Sequence, residues 1–395
     1  MSAHIAPRVV VSVKTTEGGL WIVPHVRALR AMGATVLVVL PAGDGRLVHA
    51  VTQLMATDSG VELHRTSFDF SFRPGVRLVR GLLAHRRLLR RLRADAALYH
   101  LYATALATRF ALWGSRTRRV HMVAGPLYLE STPIRWAERV LCRLDHHVIA
   151  GSAFTGRAYA ALGMPAHRLS VVPYGVDLDH FAPEPGSLGA ARSRLGLPSD
   201  AFVAVMVAFV YAPKSLVHSA EGIKGHRVAL EAWSELRQDH DDIRLLLVGS
   251  GFDADGEDYR QRLIASLPTS LSELGILWLD SVDDVREAYR AADLSLSPSL
   301  SENHGAAVEA GAMGCPSVVS NAGGLPETVA PDSGWIVPAG DAGALAAAVR
   351  DAIQEHRVGT LAAKGERARE HIAAGFALDD CARLVARTVL TEVPS

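Results

Sequence analysis

Short apolar runs of strand length alternate along this chain with segments of helical period, in two sets separated by a stretch of breakers. The first set opens with Arg8-Val9-Val10-Val11-Ser12-Val13, read as a strand, then a helix over 21–32 and the strand Thr35-Val36-Leu37-Val38-Val39-Leu40. Residues 97–101 and 120–123 continue it, and Asp145-His146-His147-Val148-Ile149-Ala150-Gly151-Ser152 contains a further strand. The second set runs through Phe202-Val203-Ala204-Val205-Met206-Val207, residues 244–248, 275–279 and 294–296, and Ser317-Val318-Val319-Ser320. Between the sets lies Phe181-Ala182-Pro183-Glu184-Pro185-Gly186, the natural place for a domain boundary.

This pattern restricts the fold class severely. Strands joined by helices form parallel sheets covered on both faces, so an α/β protein is expected. At 395 residues the chain can bury two such cores. Two Rossmann-like domains follow, and open parallel sheets bind ligands outside the carboxyl ends of their strands.

The chemistry concentrates after the strand at 294–296. There the chain reads Ser301-Glu302-Asn303-His304-Gly305-Ala306-Ala307-Val308-Glu309-Ala310, then Gly314-Cys315-Pro316, then Gly323-Gly324-Leu325-Pro326-Glu327. Residues 305–313 read as a helix, which places Glu302 in the strand-to-helix loop and Glu309 on the helix. A helix start offers free N–H groups to an anion such as a pyrophosphate, whereas ionised carboxylates accept only and suit sugar hydroxyls. A loop glutamate in solvent and a helix glutamate paired with a base would explain the same two residues more simply.

Ser-Glu-Asn-x-Gly, Glu-Ala-x-x-x-Gly-x-Pro and Gly-Gly-x-x-Glu together resemble the donor-site signature of the retaining glycosyltransferases of family 4, which have the GT-B fold. The resemblance extends to Lys224-Gly225-His226 with the strand ending Val248-Gly249-Ser250, to Val172-Pro173-Tyr174-Gly175-Val176-Asp177, and to Glu17-Gly18-Gly19 after the first strand. It implies an acceptor-binding domain over 1–183, a nucleotide-sugar-binding domain over 184–373, and a C-terminal helix within 374–395 packing back on the first domain, the two domains facing a central cleft.

The resemblance also implies the site. Lys224 and Glu302 are the expected catalytic residues; Gly18, Gly19, Lys214, Lys224, Gly249, Asn303, His304, Gly305, Ala306 and Glu309 would hold the donor; Glu17 and Gly125 would meet the acceptor. Lys224 would neutralise the leaving diphosphate, Glu309 would bind the ribose hydroxyls, and Glu302 with the backbone of 303–305 would hold the hexose hydroxyls. A hexose would pass, with retention and without a metal, a cofactor or a protein nucleophile, from a nucleotide-diphosphate sugar, UDP-glucose or UDP-N-acetylglucosamine, to a hydroxylated small molecule or glycan. Neither Asp177-Leu178-Asp179 nor Asp253-Ala254-Asp255 is read as a metal site.

Three positions depart from the family's pattern. Six residues separate Glu302 from Glu309 where the family usually has seven, so the loop must be tighter or Glu302 displaced. The arginine expected before the lysine falls near Phe209, with Lys214 in the longer loop as a substitute charge, and Val123-Ala124-Gly125-Pro126 stands where a histidine often ends a strand, His121 reading as structural.

Other classes fit less well. With 41 basic and 41 acidic residues there is no net field for nucleic acid. Lys14-Thr15-Thr16-Glu17-Gly18-Gly19 lacks the three-glycine spacing of a nicotinamide-binding loop, while a sugar-nucleotide-binding protein without turnover would share every donor motif. Three separated cysteines and no long apolar run lead to the expectation of a cytoplasmic protein, and the Ala- and Arg-rich composition to that of a bacterial one. One segment has two readings: from Arg77 to Arg93, arginines interleave with leucines, as in a surface helix with solvated arginines or a helix lying on an anionic membrane.

Overall fold

The computed structural model describes residues 6–214 and 217–391. They divide into two compact units, residues 6–175 with 378–391, and residues 176–377.

The first unit is built on seven parallel strands: β1 (Arg8–Ser12), β2 (Thr35–Pro41), β3 (Val61–Thr66), β4 (Ala96–His100), β5 (Arg118–Val123), β6 (His147–Ala150) and β7 (Leu169–Val171). Their spatial order is β3-β2-β1-β4-β5-β6-β7. Val9, Val11, Val36, Val38 and Leu98 are fully buried, as central parallel strands require because helices cover both faces. The helix Leu378–Leu390 belongs to this unit, where Cys381, Val385, Ala386 and Val389 share a core with β1, β2 and the helix Val23–Ala31.

The second unit carries β8 (Phe202–Val207), β9 (Ile243–Val248), β10 (Ile276–Leu279), β11 (Leu294–Ser297), β12 (Ser317–Ser320) and β13 (Gly334–Val337) in the order β10-β9-β8-β11-β12-β13, again all parallel. The helix His226–Asp239 buries Val228, Ala229, Ala232, Trp233 and Leu236 on one face. Trp233 also donates from Nε1 to the Leu274 carbonyl at 3.1 Å. Truncating such a side chain costs about 3–5 kcal/mol, so the helix is firmly held and the loop before it has a rigid end.

The order in which strands are added reverses once in each sheet, between β1 and β4 and between β8 and β11. Chains leaving adjacent strands at such a point turn to opposite faces and open a crevice where ligands bind. No helix among the described residues is long and apolar enough to cross a membrane.

Candidate functional site

In the second unit the segments leaving β8 and β11 both end at the sheet's reversal point. The first runs to Lys224 and the helix His226–Asp239, and the second to Glu302 and the helix Ala307–Ala312. The latter helix is shorter than the 305–313 expected from sequence, and it begins at Ala307 because Gly305 takes a positive φ of 51°.

Lys224 Nζ forms an ion pair with Glu302 Oε2, and the backbone N–H of Asn303 donates to Glu302 Oε1 at 3.0 Å. The tightened loop therefore still delivers Glu302 to the lysine. Two glycines make the meeting sterically feasible. At Gly225, with φ 74°, a Cβ would lie 2.1 Å from the Pro298 carbonyl, so only glycine lets the lysine loop press against the end of β11. At Gly305 a Cβ would reach 3.0 Å from the Glu302 carboxylate. Burial alone would lower the pKa of Lys224, but the Glu302 charge and hydrogen bond raise it, so the ammonium is kept. A small cavity opens here, lined by Ala208, Lys224, Ser297, Ser299, Glu302 and Gly305.

Ala306 borders the same cavity, and its carbonyl accepts from Tyr289 at 3.3 Å. The Tyr289 hydroxyl also donates to Glu309 Oε2 at 3.1 Å. Burial pushes the Glu309 carboxyl up to about 7, against the opposing pull of this hydrogen bond. A carboxylate this poorly solvated gains strongly from added hydroxyl donors. Asn303 and His304 are buried; His304 Nε2 stands 3.6 Å from Glu327 Oε2, and the N–H of Gly324 donates to the Glu302 carbonyl at 3.1 Å. The three signature segments thus form one connected structure. Tyr289 had no signal in the sequence, since an isolated tyrosine on a short helix is ordinary.

Gly249 follows β9, and its carbonyl accepts from Trp278 Nε1 at 3.0 Å. Lys214 is exposed, its Nζ 5.3 Å from the centre of the Tyr211 ring, and it does not line the cavity. His226 is buried and stacked on Trp278, its pKa pushed down to about 3 by burial and then by the Lys224 charge, so it packs as a neutral ring. Asp253 caps a helix by accepting from the N–H of Gly256 at 2.9 Å.

The remaining expected residues lie in the first unit. Glu17, Gly18 and Gly19 follow β1. Glu17 pairs with Arg46 at 2.8 Å, the N–H of Gly18 donates to Thr15 Oγ1 at 3.2 Å, and Gly19 precedes the 3-10 turn Leu20–Ile22. Gly125 sits just past β5. Beside the reversal point, Trp21, His25, His100 and Tyr174 form an aromatic cluster, with the His25 and His100 rings stacked 5.4 Å apart. His121, Glu138 and Asp145 are close enough to ligate a metal, but the Arg109 guanidinium occupies the space between the carboxylates, reaching Glu138 at 2.7 Å and Asp145 at 2.5 Å. This buried network is a structural ion cluster, with His121 as one wall.

The comparisons with known proteins agree with this geometry. Residues 22–180 match the family model "Glycosyltransferase Family 4", and residues 215–355 match "Glycosyl transferases group 1". The D-inositol 3-phosphate glycosyltransferase 2 of Catenulispora acidiphila is 36% identical over 222 residues, 53% of this chain and 48% of that protein. The D-inositol 3-phosphate glycosyltransferase of Saccharomonospora viridis is 29% identical over 65% of this chain and 58% of its own length. The chain thus spans about half the length of these curated relatives. Among solved structures, Anabaena HepE in complex with UDP and glucose superposes with a TM-score of 0.77 at 19% identity, covering 97% of this chain and 99% of HepE. Sucrose-phosphate synthase from Thermosynechococcus elongatus gives a TM-score of 0.75 at 19% identity, with coverage of 97% and 98%. Two glycosyltransferase family models are thus matched in succession along the chain, family 4 over 22–180 and group 1 over 215–355, and the fold shared with the solved structures over nearly its whole length is the GT-B architecture of two Rossmann-like units.

Proposed function

We propose that this protein is a retaining glycosyltransferase that moves a hexose from a nucleotide-diphosphate sugar to a hydroxyl of a small molecule or glycan. The observation that carries the reading is the Lys224–Glu302 ion pair at the reversal point of the second sheet. An incoming diphosphate would compete for Lys224, whose ammonium would then face the charge developing on the leaving group. That exchange would release one Glu302 oxygen to accept from hexose hydroxyls, while Glu309 takes the ribose. The acceptor proton would pass to a phosphate oxygen as the anomeric bond breaks on the same face, so the reaction needs no protein nucleophile, metal or cofactor. Glu17, Gly18, Gly19 and Gly125 are proposed to serve the acceptor and the donor phosphates from the first unit, and Lys214 to add charge beside Tyr211.

Uridine diphosphate glucose is the favoured donor, with uridine diphosphate N-acetylglucosamine as its alternative; the UDP and glucose named with HepE support the former. A cyclitol phosphate is the favoured acceptor, on the names of the relatives.

A thermal-shift panel of nucleotides and nucleotide sugars with a chelator present tests the donor site. At 100 times its dissociation constant a donor should stabilise the fold by about 2.7 kcal/mol. The absence of a shift with every nucleotide would overturn the assignment. A shift without consumption of donor in the presence of cyclitol phosphates and glycans would leave a binding protein.

A further inference from the structure

The helix Val76–Leu92 carries Arg77, Arg80, Arg86, Arg87, Arg90 and Arg91 and not a single carboxylate. Its inner face is well used: His85, Leu89 and Leu92 are buried, and Leu78 and Leu82 pack against Phe68 and Phe70. Its outer face is not that of an ordinary surface helix. Val76, Val79 and Leu83, spaced so that they share one side, are 66%, 57% and 39% exposed. Arg80, Arg87 and Arg91 form the adjoining ridge, and with Arg77 they make no ion pair or side-chain hydrogen bond among the described residues.

The surface continues past the helix. Arg86 donates to the Phe110 carbonyl at 2.7 Å and lies 5.7 Å from the Phe110 ring centre, and Arg90 donates to the Trp113 carbonyl at 2.7 Å. Phe110 and Trp113 are themselves 39% and 68% exposed. At the other end, Arg73, Arg77 and Arg80 line a cavity of about 680 Å³ together with Ser67 and Ser71. Asp69, the one carboxylate of that lining, is turned to the N–H of Ser71 at 2.9 Å.

Each exposed valine or leucine forgoes about 25 cal/mol per Å² of apolar burial in water, and unpaired arginines without neighbouring acids repel one another. A lipid interface with anionic headgroups relieves both, since it offers hydrocarbon to the stripe and phosphates to the guanidiniums at the same depth. We propose that the outer face of Val76–Leu92, extended by Phe110 and Trp113, docks on an anionic lipid bilayer. The Val76, Val79 and Leu83 stripe enters the headgroup–acyl boundary, and the cavity formed by Arg73, Arg77 and Arg80 receives lipid phosphates. Docking of this kind is independent of the chemistry proposed for the second unit.

Cosedimentation of the full chain with phosphatidylcholine vesicles, with and without phosphatidylglycerol, tests it. Binding is expected to the anionic vesicles and to weaken as salt is raised. Arg80→Gln, Arg87→Gln and Arg91→Gln combined should reduce the partition coefficient on the order of a hundredfold, at about a fivefold loss per basic residue. Val79→Ser with Leu83→Ser should weaken binding at unchanged charge, and melting curves of both variants matching the parent would show that the fold is intact. Equal binding to neutral and anionic vesicles, or binding unaffected by both variants, overturns the proposal. So does thermal stabilisation by inorganic phosphate without vesicle binding, which would mark a site for soluble anions.

Discussion

Glu302 gives one carboxylate oxygen to Lys224 Nζ and the other to the N–H of Asn303, although it lies 78 positions from the lysine in the chain. The pair joins the segments leaving β8 and β11, so either partner's loss should be felt at the other.

Lys224→Ala should lower kcat by about 10²–10³, the scale on which preorganised charge stabilisation at a developing oxyanion operates. It also leaves Glu302 half-buried without its cation, so Lys224→Met, which keeps the stem, should show the same loss. Steady-state kinetics with the best donor of the panel checks this, and unchanged kcat would remove Lys224 from the chemistry.

As the proposed ribose ligand, Glu309 should make nucleotide affinity depend on pH. Below about 7 its buried carboxyl holds a proton, and above that value it is an acceptor-only carboxylate suited to ribose hydroxyls. Affinity for the free nucleotide should therefore rise as pH increases from about 6 to 8. In Glu309→Gln that rise should disappear. Titration calorimetry across this range is the measurement, and a slope retained in the glutamine variant would assign it to another group.

Gly225→Ala tests how closely the lysine loop must approach β11. The new Cβ would sit 2.1 Å from the Pro298 carbonyl, at a φ of 74° that L-residues disfavour. Gly33→Ala is the control, since φ is 85° there but nothing lies within 4 Å of its Cβ. Backbone strain alone costs about 1–2 kcal/mol. The Gly225 variant should lose more than the control in denaturant melts and should also bind donor less well; equal losses would mean that the Pro298 contact yields without cost.

Much of this was legible in the sequence. The strands at 202–207 and 317–320 appear with the ends read from their composition, because runs buried on both faces are continuously apolar and stop where polarity returns. Three strands went unread: β3 in Val61-Glu62-Leu63-His64-Arg65-Thr66, β7 over Leu169–Val171 and β13 over Gly334–Val337. Each lies at a sheet edge. Edge strands have one neighbour, tolerate polar residues and can be very short, so their composition approaches that of a loop. In the site, Glu302, Gly305 and Glu309 were legible through the resemblance of their motifs to the family 4 donor-site signature. Tyr289 was not, since its hydrogen bond to Glu309 joins segments 20 positions apart, nor was the turn at Gly305 that shortens the following helix, since a glycine can continue a helix or leave it.

His25 should govern part of the acid limb of stability. It is fully buried, neither ring nitrogen has a hydrogen-bond partner, and burial holds its pKa down to about 4. His85 is held at about the same value by the same cause. An unfolded histidine takes up a proton near pH 6.5, whereas these do so in the folded state only near 4. Between those values the unfolded chain binds more protons, so stability falls as pH drops through the window. Glu309 acts oppositely, because its raised pKa lets the folded state hold the extra proton from about 4.5 to 7, favouring the fold at the acid end. Replacing His25 by Phe should flatten the decline between pH 6.5 and 4, and Glu309→Gln should steepen it. Denaturant melts at pH 4.5 and 7 compare the two: each full shift of this size corresponds to roughly 3 kcal/mol, and identical slopes in all three proteins would show that neither group sets the acid response.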